Sequence, residues 1–172
     1  MTARVAVILF VGVVAAQRIG ELVLSARHAR AVRARGACEY GSAHFPFLVF
    51  VHVAFLVCLA AEVLFLGARP SRWWPLWLGF WLCAQLLRYS AIRALGDRWN
   101  VRILVVPGEP PVSSGPYRFI RHPNYVAVAI ELIAASLLFG AWRTAIVISV
   151  LDAAALWVRV RAENAALYPR TA

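Results

Sequence analysis

The chain has 172 residues, of which 62% are hydrophobic, and a mean hydropathy of +0.71. A water-soluble domain of this length carries ~45–50% apolar residues and has too little interior to hide the excess, so lipid is the expected solvent and one domain the expected unit. The net charge of +10 comes wholly from arginine. It does not indicate nucleic acid, because the arginines cluster in short stretches between apolar runs, as membrane topology requires.

About 20 apolar residues cross a bilayer as a helix. On that measure the pattern predicts an all-α, polytopic helical bundle of about five spans. The first covers residues 5–24 and carries Gln17, Arg18 and Glu21 near one end. It has no small-residue cleavage site and reads as a retained span rather than a signal peptide. The second covers residues 45–66 and carries His52 and Glu62. The third covers residues 73–87, extended by 89–95. The fourth, residues 126–139, holds Glu131, and the fifth, residues 144–158, holds Asp152. Gly140 to Arg143 reads as a tight turn between the last two. Trp73, Trp74 and Trp142 fall where an interfacial aromatic belt belongs.

Charge sets the orientation. Arg27, Arg30, Arg33 and Arg35 follow the first span; Arg88, Arg93, Arg98, Arg102, Arg118 and Arg121 follow the third; Arg159, Arg161 and Arg170 follow the fifth. With five spans all of these share one side, and only Arg4, Arg69, Arg72 and Arg143 lie opposite. The positive-inside rule turns the richer side to the cytoplasm, which puts the C-terminus inside. Cys38, Cys58 and Cys83 are odd in number and widely spaced, so no disulfide framework follows, and no histidine cluster has metal-ligand spacing.

Chemistry concentrates in a few places. Residues 115–125 pack two arginines, His122, Asn124, Tyr117 and Tyr125 into a polar stretch between apolar spans. Pro123 holds His122 extended, and Asn124 is a plausible cap for the fourth span. Read from chemistry alone, this stretch suits either an anion site at a helix N-terminus or a loop whose arginines meet lipid phosphates. In residues 159–167, Arg159 and Glu163 stand i,i+4 on one helix face, either as an ordinary ion pair or as part of a site. Ionisable groups within spans face the interior, and Glu131 is the one nearest the polar loop.

Two of these segments, in order and separated by one hairpin, resemble the isoprenylcysteine carboxyl methyltransferase family, which carries G-P-Y-R-x-x-R-H-P-x-Y and then R-x-x-x-E-E-x-x-L. The first is complete at residues 115–125. The second reads Arg159, Glu163, Asn164 and Leu167, with Asn164 in place of the second glutamate. Residues 17–25, 36–44, 96–100 and 105–108 extend the likeness to a bacterial branch associated with type III polyketide synthases. The resemblance implies S-adenosylmethionine as cofactor, in a cytoplasmic pocket formed by the C-terminal half. Val106, Tyr117, His122, Pro123, Tyr125, Glu163, Asn164 and Leu167 are its expected cofactor-binding residues. Arg159 and Glu131 are expected at the reacting centre. It also implies one integral-membrane methyltransferase domain over residues 1–172, with residues 1–95 on the acceptor side and 96–172 on the cofactor side. The implied acceptor is a lipophilic small molecule reached from membrane lipid, a polyketide-derived alkylpyrone or phenolic lipid hydroxyl. A prenylcysteine-like carboxylate, or a non-catalytic lipid-binding role, stands as the alternative.

Overall fold

Five helices carry most of the chain in the computed structural model, which describes residues 2–168. Arg170, counted above among the inner-side charges, lies outside the described residues. Helix α1 (Ala3–Ala34) starts at a Thr2 cap whose hydroxyl accepts from the Val5 amide. Its 32 residues reach about 48 Å, well past the ~30 Å of a hydrocarbon core. Arg27, Arg30 and Arg33, expected in a loop, therefore continue the helix. Helices α2 (Phe45–Leu64), α3 (Trp74–Leu95), α4 (Pro123–Leu138) and α5 (Trp142–Leu167) fall on the other four predicted runs. Proline stands in the first turn of α2, α3 and α4, where the missing N–H has no helical partner to lose.

Polarity is arranged the reverse of a soluble bundle. Ile8, Val13, Phe50, Val57, Ile146 and Val150 face outward, while Glu21, Glu62, Arg88, Glu131, Asp152 and Arg159 are buried. Apolar exteriors with paired polar interiors are what a lipid solvent favours. By length and apolarity, α1 and the segment Ser42–Leu64 are able to cross a membrane. Helix α4, at 16 residues, reaches only about 24 Å. Val51, Phe55, Leu59, Val128, Leu132, Phe139 and Ile148 form the core, where α2, α4 and α5 meet α1.

Two features fix the far end of the bundle. Gly140 has φ 70°, and a β-carbon there would stand 2.0 Å from the Arg69 carbonyl oxygen, so only glycine fits the α4–α5 turn. Buried Glu62 reaches from α2 to the start of α5. It accepts from the Arg143 amide at 3.2 Å and from the Thr144 amide and hydroxyl at 2.8 and 2.6 Å. A carboxylate at a helix N-terminus satisfies orphan amides and opposes the dipole. At the other end, strands β1 (Cys38–Tyr40) and β2 (Ile103–Val105) pair antiparallel, Cys38 opposite Val105 and Tyr40 opposite Ile103. This small clasp, not expected from the sequence, ties the α1–α2 connection to the long loop before α4.

Candidate active site

Pro123 opens α4 and, by excluding helical geometry from the residue before it, leaves His122 as the cap residue with φ −129°. The expected capping by Asn124 does not occur: Asn124 lies inside the first turn and makes no cap bond. This places His122, Asn124 and Tyr125 together at one end of α4. Helix α5 runs back alongside, so the turn carrying Arg159, Glu163 and Asn164 faces them.

The contacts across this hairpin form one network. The His122 and Tyr125 rings stack at 5.3 Å, 10° from parallel. His122 Nε2 donates to the Asn164 side-chain carbonyl at 3.1 Å, so the asparagine in place of the family's second glutamate still provides an acceptor. His122 Nδ1 stands 3.7 Å from the Glu163 carboxylate. Arg159 Nε donates to the Tyr125 hydroxyl at 2.8 Å, and that hydroxyl donates to Glu163. The i,i+4 ion pair expected between Arg159 and Glu163 is therefore replaced, among the described residues, by a phenol bridging the two.

Two cavities, each of roughly 1000 Å³ including its open mouth, meet at this network. Both are open at the mouth, and most of that volume is open solvent. The first is bounded by β2, the loop that follows it and the α4–α5 end. Val106, Tyr117, His122, Tyr125, Glu163 and Leu167 line it, together with Arg159. Burial pushes the Tyr117 phenol well above its ordinary pKa, and the Glu163 carboxylate adds to the shift, so this group stays neutral and hydrogen-bonding. Pro123 and Asn164 do not line the cavity. Pro123 is buried beneath it, and Asn164 steers His122 from behind.

The second cavity lies among α1, α2, α3 and the start of α4. Leu22, Phe45, Leu48, Val53, Leu56 and Leu156 make it greasy, and Arg18, His52 and Arg159 add polar points. The two cavities share one wall, made of Trp99, Asn100, Asn124, Tyr125 and Arg159. Trp99, Asn100 and a role for Asn124 beyond capping went unassigned from sequence. The first two sit in a stretch whose only signal was its family likeness. Asn100 is held by Ser25 of α1, whose hydroxyl donates to its carbonyl at 2.8 Å and whose backbone oxygen accepts from its amide at 3.0 Å.

Glu131 and Arg159, expected together at the reacting centre, are not brought together. Arg88 donates to both Glu131 oxygens at 2.6 Å, and Arg18 adds a contact at 2.5 Å. Both arginines also reach Glu21, Arg18 at 2.7 Å and Arg88 at 3.4 Å. Glu131 lines neither large cavity; its two oxygens serve to lock α4 to α1 and α3. Arg159 is different. It is 7% exposed, lies on the wall common to both cavities, and has no carboxylate within ion-pair distance among the described residues.

The donors in the first cavity fit S-adenosylmethionine. They include a stacked ring pair, a carboxylate, a histidine, an apolar wall at Leu167 and the edge of β2 that has no partner strand among the described residues. The family described as isoprenylcysteine carboxyl methyltransferase matches residues 77–169, which include every one of these. The uncharacterized protein YpbQ of Bacillus subtilis is 38% identical over 92% of this chain and 95% of its own length. An uncharacterized protein of Haemophilus influenzae is 30% identical over 90% of this chain and 92% of its own. No solved structure matches the chain.

Proposed function

The chain belongs to the isoprenylcysteine carboxyl methyltransferase family, and from that premise we propose that this membrane methyltransferase O-methylates a lipophilic acceptor at the wall its two cavities share. The observation that carries the proposal is Arg159, a buried guanidinium facing both cavities with no carboxylate within ion-pair distance among the described residues. A buried unpaired cation costs several kcal/mol (about 3–5 when a partner is removed), so an anionic ligand is its natural complement. Guanidinium stays protonated and can hold an oxygen anion in a fixed orientation.

Bound in the first cavity, S-adenosylmethionine would supply the sulfonium methyl, its carbon–sulfur bond giving way to a bond with the acceptor oxygen and the thioether leaving. The protein's own residues do the positioning. Glu163, His122 and Tyr125 hold the cofactor's polar groups, Asn164 fixes the His122 ring, and Leu167, Val106 and Tyr117 close the apolar and phenolic walls. The Tyr125 hydroxyl joins Glu163 to Arg159, so the cofactor side and the acceptor side are held as one unit. An ionised carboxylate or acidic enol needs no general base, and the rate then comes from alignment.

The second cavity supports an acceptor with an apolar tail and an oxygen-bearing head. A further polar point, the His52 ring, whose Nδ1 bonds the Leu48 carbonyl, favours an oxygen-bearing ring such as an alkylpyrone or phenolic lipid over a bare prenyl tail ending in a carboxylate. Such an acceptor is a product of the type III polyketide synthase class. The arginine distribution supports an orientation in a bacterial inner membrane with the cofactor cavity and C-terminus on the cytoplasmic side. A C-terminal reporter active only outside the membrane would contradict that orientation when it gives a signal.

The proposal is tested by incubating purified protein with methyl-labelled S-adenosylmethionine and a panel of alkylpyrones, alkylresorcinols and prenylcysteines. Label in an alkylpyrone or alkylresorcinol is expected. Label in prenylcysteines alone would reassign the acceptor, and a folded protein with no affinity for the cofactor would end the methyltransferase reading. His122→Ala and Glu163→Ala are expected to weaken cofactor binding at least tenfold in isothermal titration, about 1.4 kcal/mol or more.

A further inference from the structure

The second cavity runs along α2 from Phe45 to Leu56, about 16 Å of helix. Phe45 marks its Arg159 end, because Gly41, just before it in the chain, packs against Ala162 of α5. His52 stands two turns farther in, about 10 Å from Phe45 along the helix. Most ionisable side chains on this wall are already engaged. Arg18, Glu21 and Arg88 belong to the cluster with Glu131, and the Tyr125 hydroxyl lies between Arg159 and Glu163. His52 is engaged on one side only. Its Nδ1 stands 2.9 Å from the Leu48 carbonyl. A carbonyl only accepts, so Nδ1 carries the proton and Nε2 of the neutral ring presents a lone pair. Nε2 has no hydrogen-bond partner among the described residues and, unlike the Asn124 oxygen, is not sealed off. The ring lines this cavity and a small void among Val14, Arg18, Trp81 and Glu131.

A lone pair on the wall of a greasy chamber calls for a hydrogen-bond donor, and an alkyl tail has none. The reacting oxygen does not supply it, since that oxygen is drawn to Arg159 as an anion and has lost its proton. The donor at His52 is therefore a different group of the acceptor. We infer that His52 Nε2 accepts a hydrogen bond from a second hydroxyl on the acceptor, set away from the reacting oxygen, and so selects which lipid is methylated. The inference rests on the O-methyltransferase reading and narrows its acceptor. An alkylresorcinol has two hydroxyls, one to react at Arg159 and one to donate to His52. With a hydrogen bond at each hydroxyl its ring spans roughly 10 Å, comparable with the rise from Phe45 to His52. An alkylpyrone whose enol reacts is left with acceptor oxygens only, which the Nε2 lone pair repels. His52 touches no reacting atom in this arrangement; it reads the far side of the acceptor's head.

The test is a ratio of kcat/KM values. A 5-alkylresorcinol and the 3-alkylphenol with the same tail differ only in the second hydroxyl. Both are offered with labelled S-adenosylmethionine to the full-length protein in detergent, as wild type, His52→Leu and His52→Phe. The wild type is expected to prefer the resorcinol at least tenfold, beyond the roughly twofold that two equivalent hydroxyls give by chance. In both variants the preference is expected to fall to about twofold, through slower use of the resorcinol and not faster use of the phenol. Cofactor affinity is expected to stay within twofold of wild type, since His52 lies outside the first cavity. A wild type without the preference overturns the inference. So does a preference that survives in the variants, which would give His52 to the small void it shares with Arg18 and Glu131. Preferred methylation of the matching alkylpyrone overturns it while leaving the O-methyltransferase reading in place. A protein that binds S-adenosylmethionine and labels only prenylcysteines overturns the phenolic-acceptor reading and this inference with it.

Discussion

Arg18, Glu21, Arg88 and Glu131 form a closed cluster of two cations and two anions, with Gln17 and Gln85 filling the remaining bonds. Where His122 and Tyr125 of α4 meet Arg159 and Glu163 of α5, the polar groups are less enclosed and do not close on themselves. Among the described residues, Arg159 has no carboxylate within ion-pair distance and the Asn124 oxygen has no hydrogen-bond donor. The first cluster spends all its valences on holding α1, α3 and α4 together. The second keeps a cation, Arg159, on the wall of both cavities. In an apolar surrounding an unmet polar group is costly, so the place where a fold retains one is where a ligand is to be sought.

The comparison can be broken at either cluster. The largest stability effect is expected at the closed one. Arg88→Met leaves two buried carboxylates sharing the single cation Arg18 and should cost about 3–5 kcal/mol, seen as a fall in the thermal midpoint in detergent. A drop of less than ~1 kcal/mol would mean that the cluster is not buried as described. Adding Glu131→Leu to that variant should recover part of the loss, because an apolar pair tolerates burial better than a lone charge. A double variant as unstable as the sum of its singles would show the two residues to be uncoupled. Glu62→Gln keeps the shape but weakens the cap on α5, and should cost about 1–2 kcal/mol, with cofactor affinity unchanged. Ser25→Ala frees Asn100 from α1 and should cost about 1 kcal/mol while raising the acceptor KM, because Asn100 lines the shared wall.

Much of the fold was legible because each helix announces itself twice, by an apolar run and, in three cases, by a proline in its first turn. The end of α1 was not legible in the same way. Apolarity stops near Leu24, but alanine and arginine are among the strongest helix formers, so the helix continues through Ala34 without a hydrophobic signal. The β1–β2 clasp was invisible because three-residue strands show no alternation. At the site, local pattern revealed residues 115–125 and the Arg159 turn, and family likeness joined them. Which buried charge partners which was beyond local pattern. Glu131 lies one to two turns from the polar loop and reads as part of it. Only the packing of α1, 113 residues earlier, shows that its oxygens are taken. Asn124 was misread as a cap for a related reason: the proline before it passes the cap position to His122.

The central claim is that Arg159 serves the acceptor and not the cofactor, although it lies on the wall of both cavities. Its most direct test is Arg159→Ala in the purified protein, with methyl transfer to the preferred acceptor and equilibrium S-adenosylmethionine binding measured on one preparation. The account predicts a loss of transfer of at least 100-fold, about 2.7 kcal/mol or more, with cofactor affinity within threefold of wild type. Undiminished transfer, or a parallel collapse of cofactor binding, would contradict it.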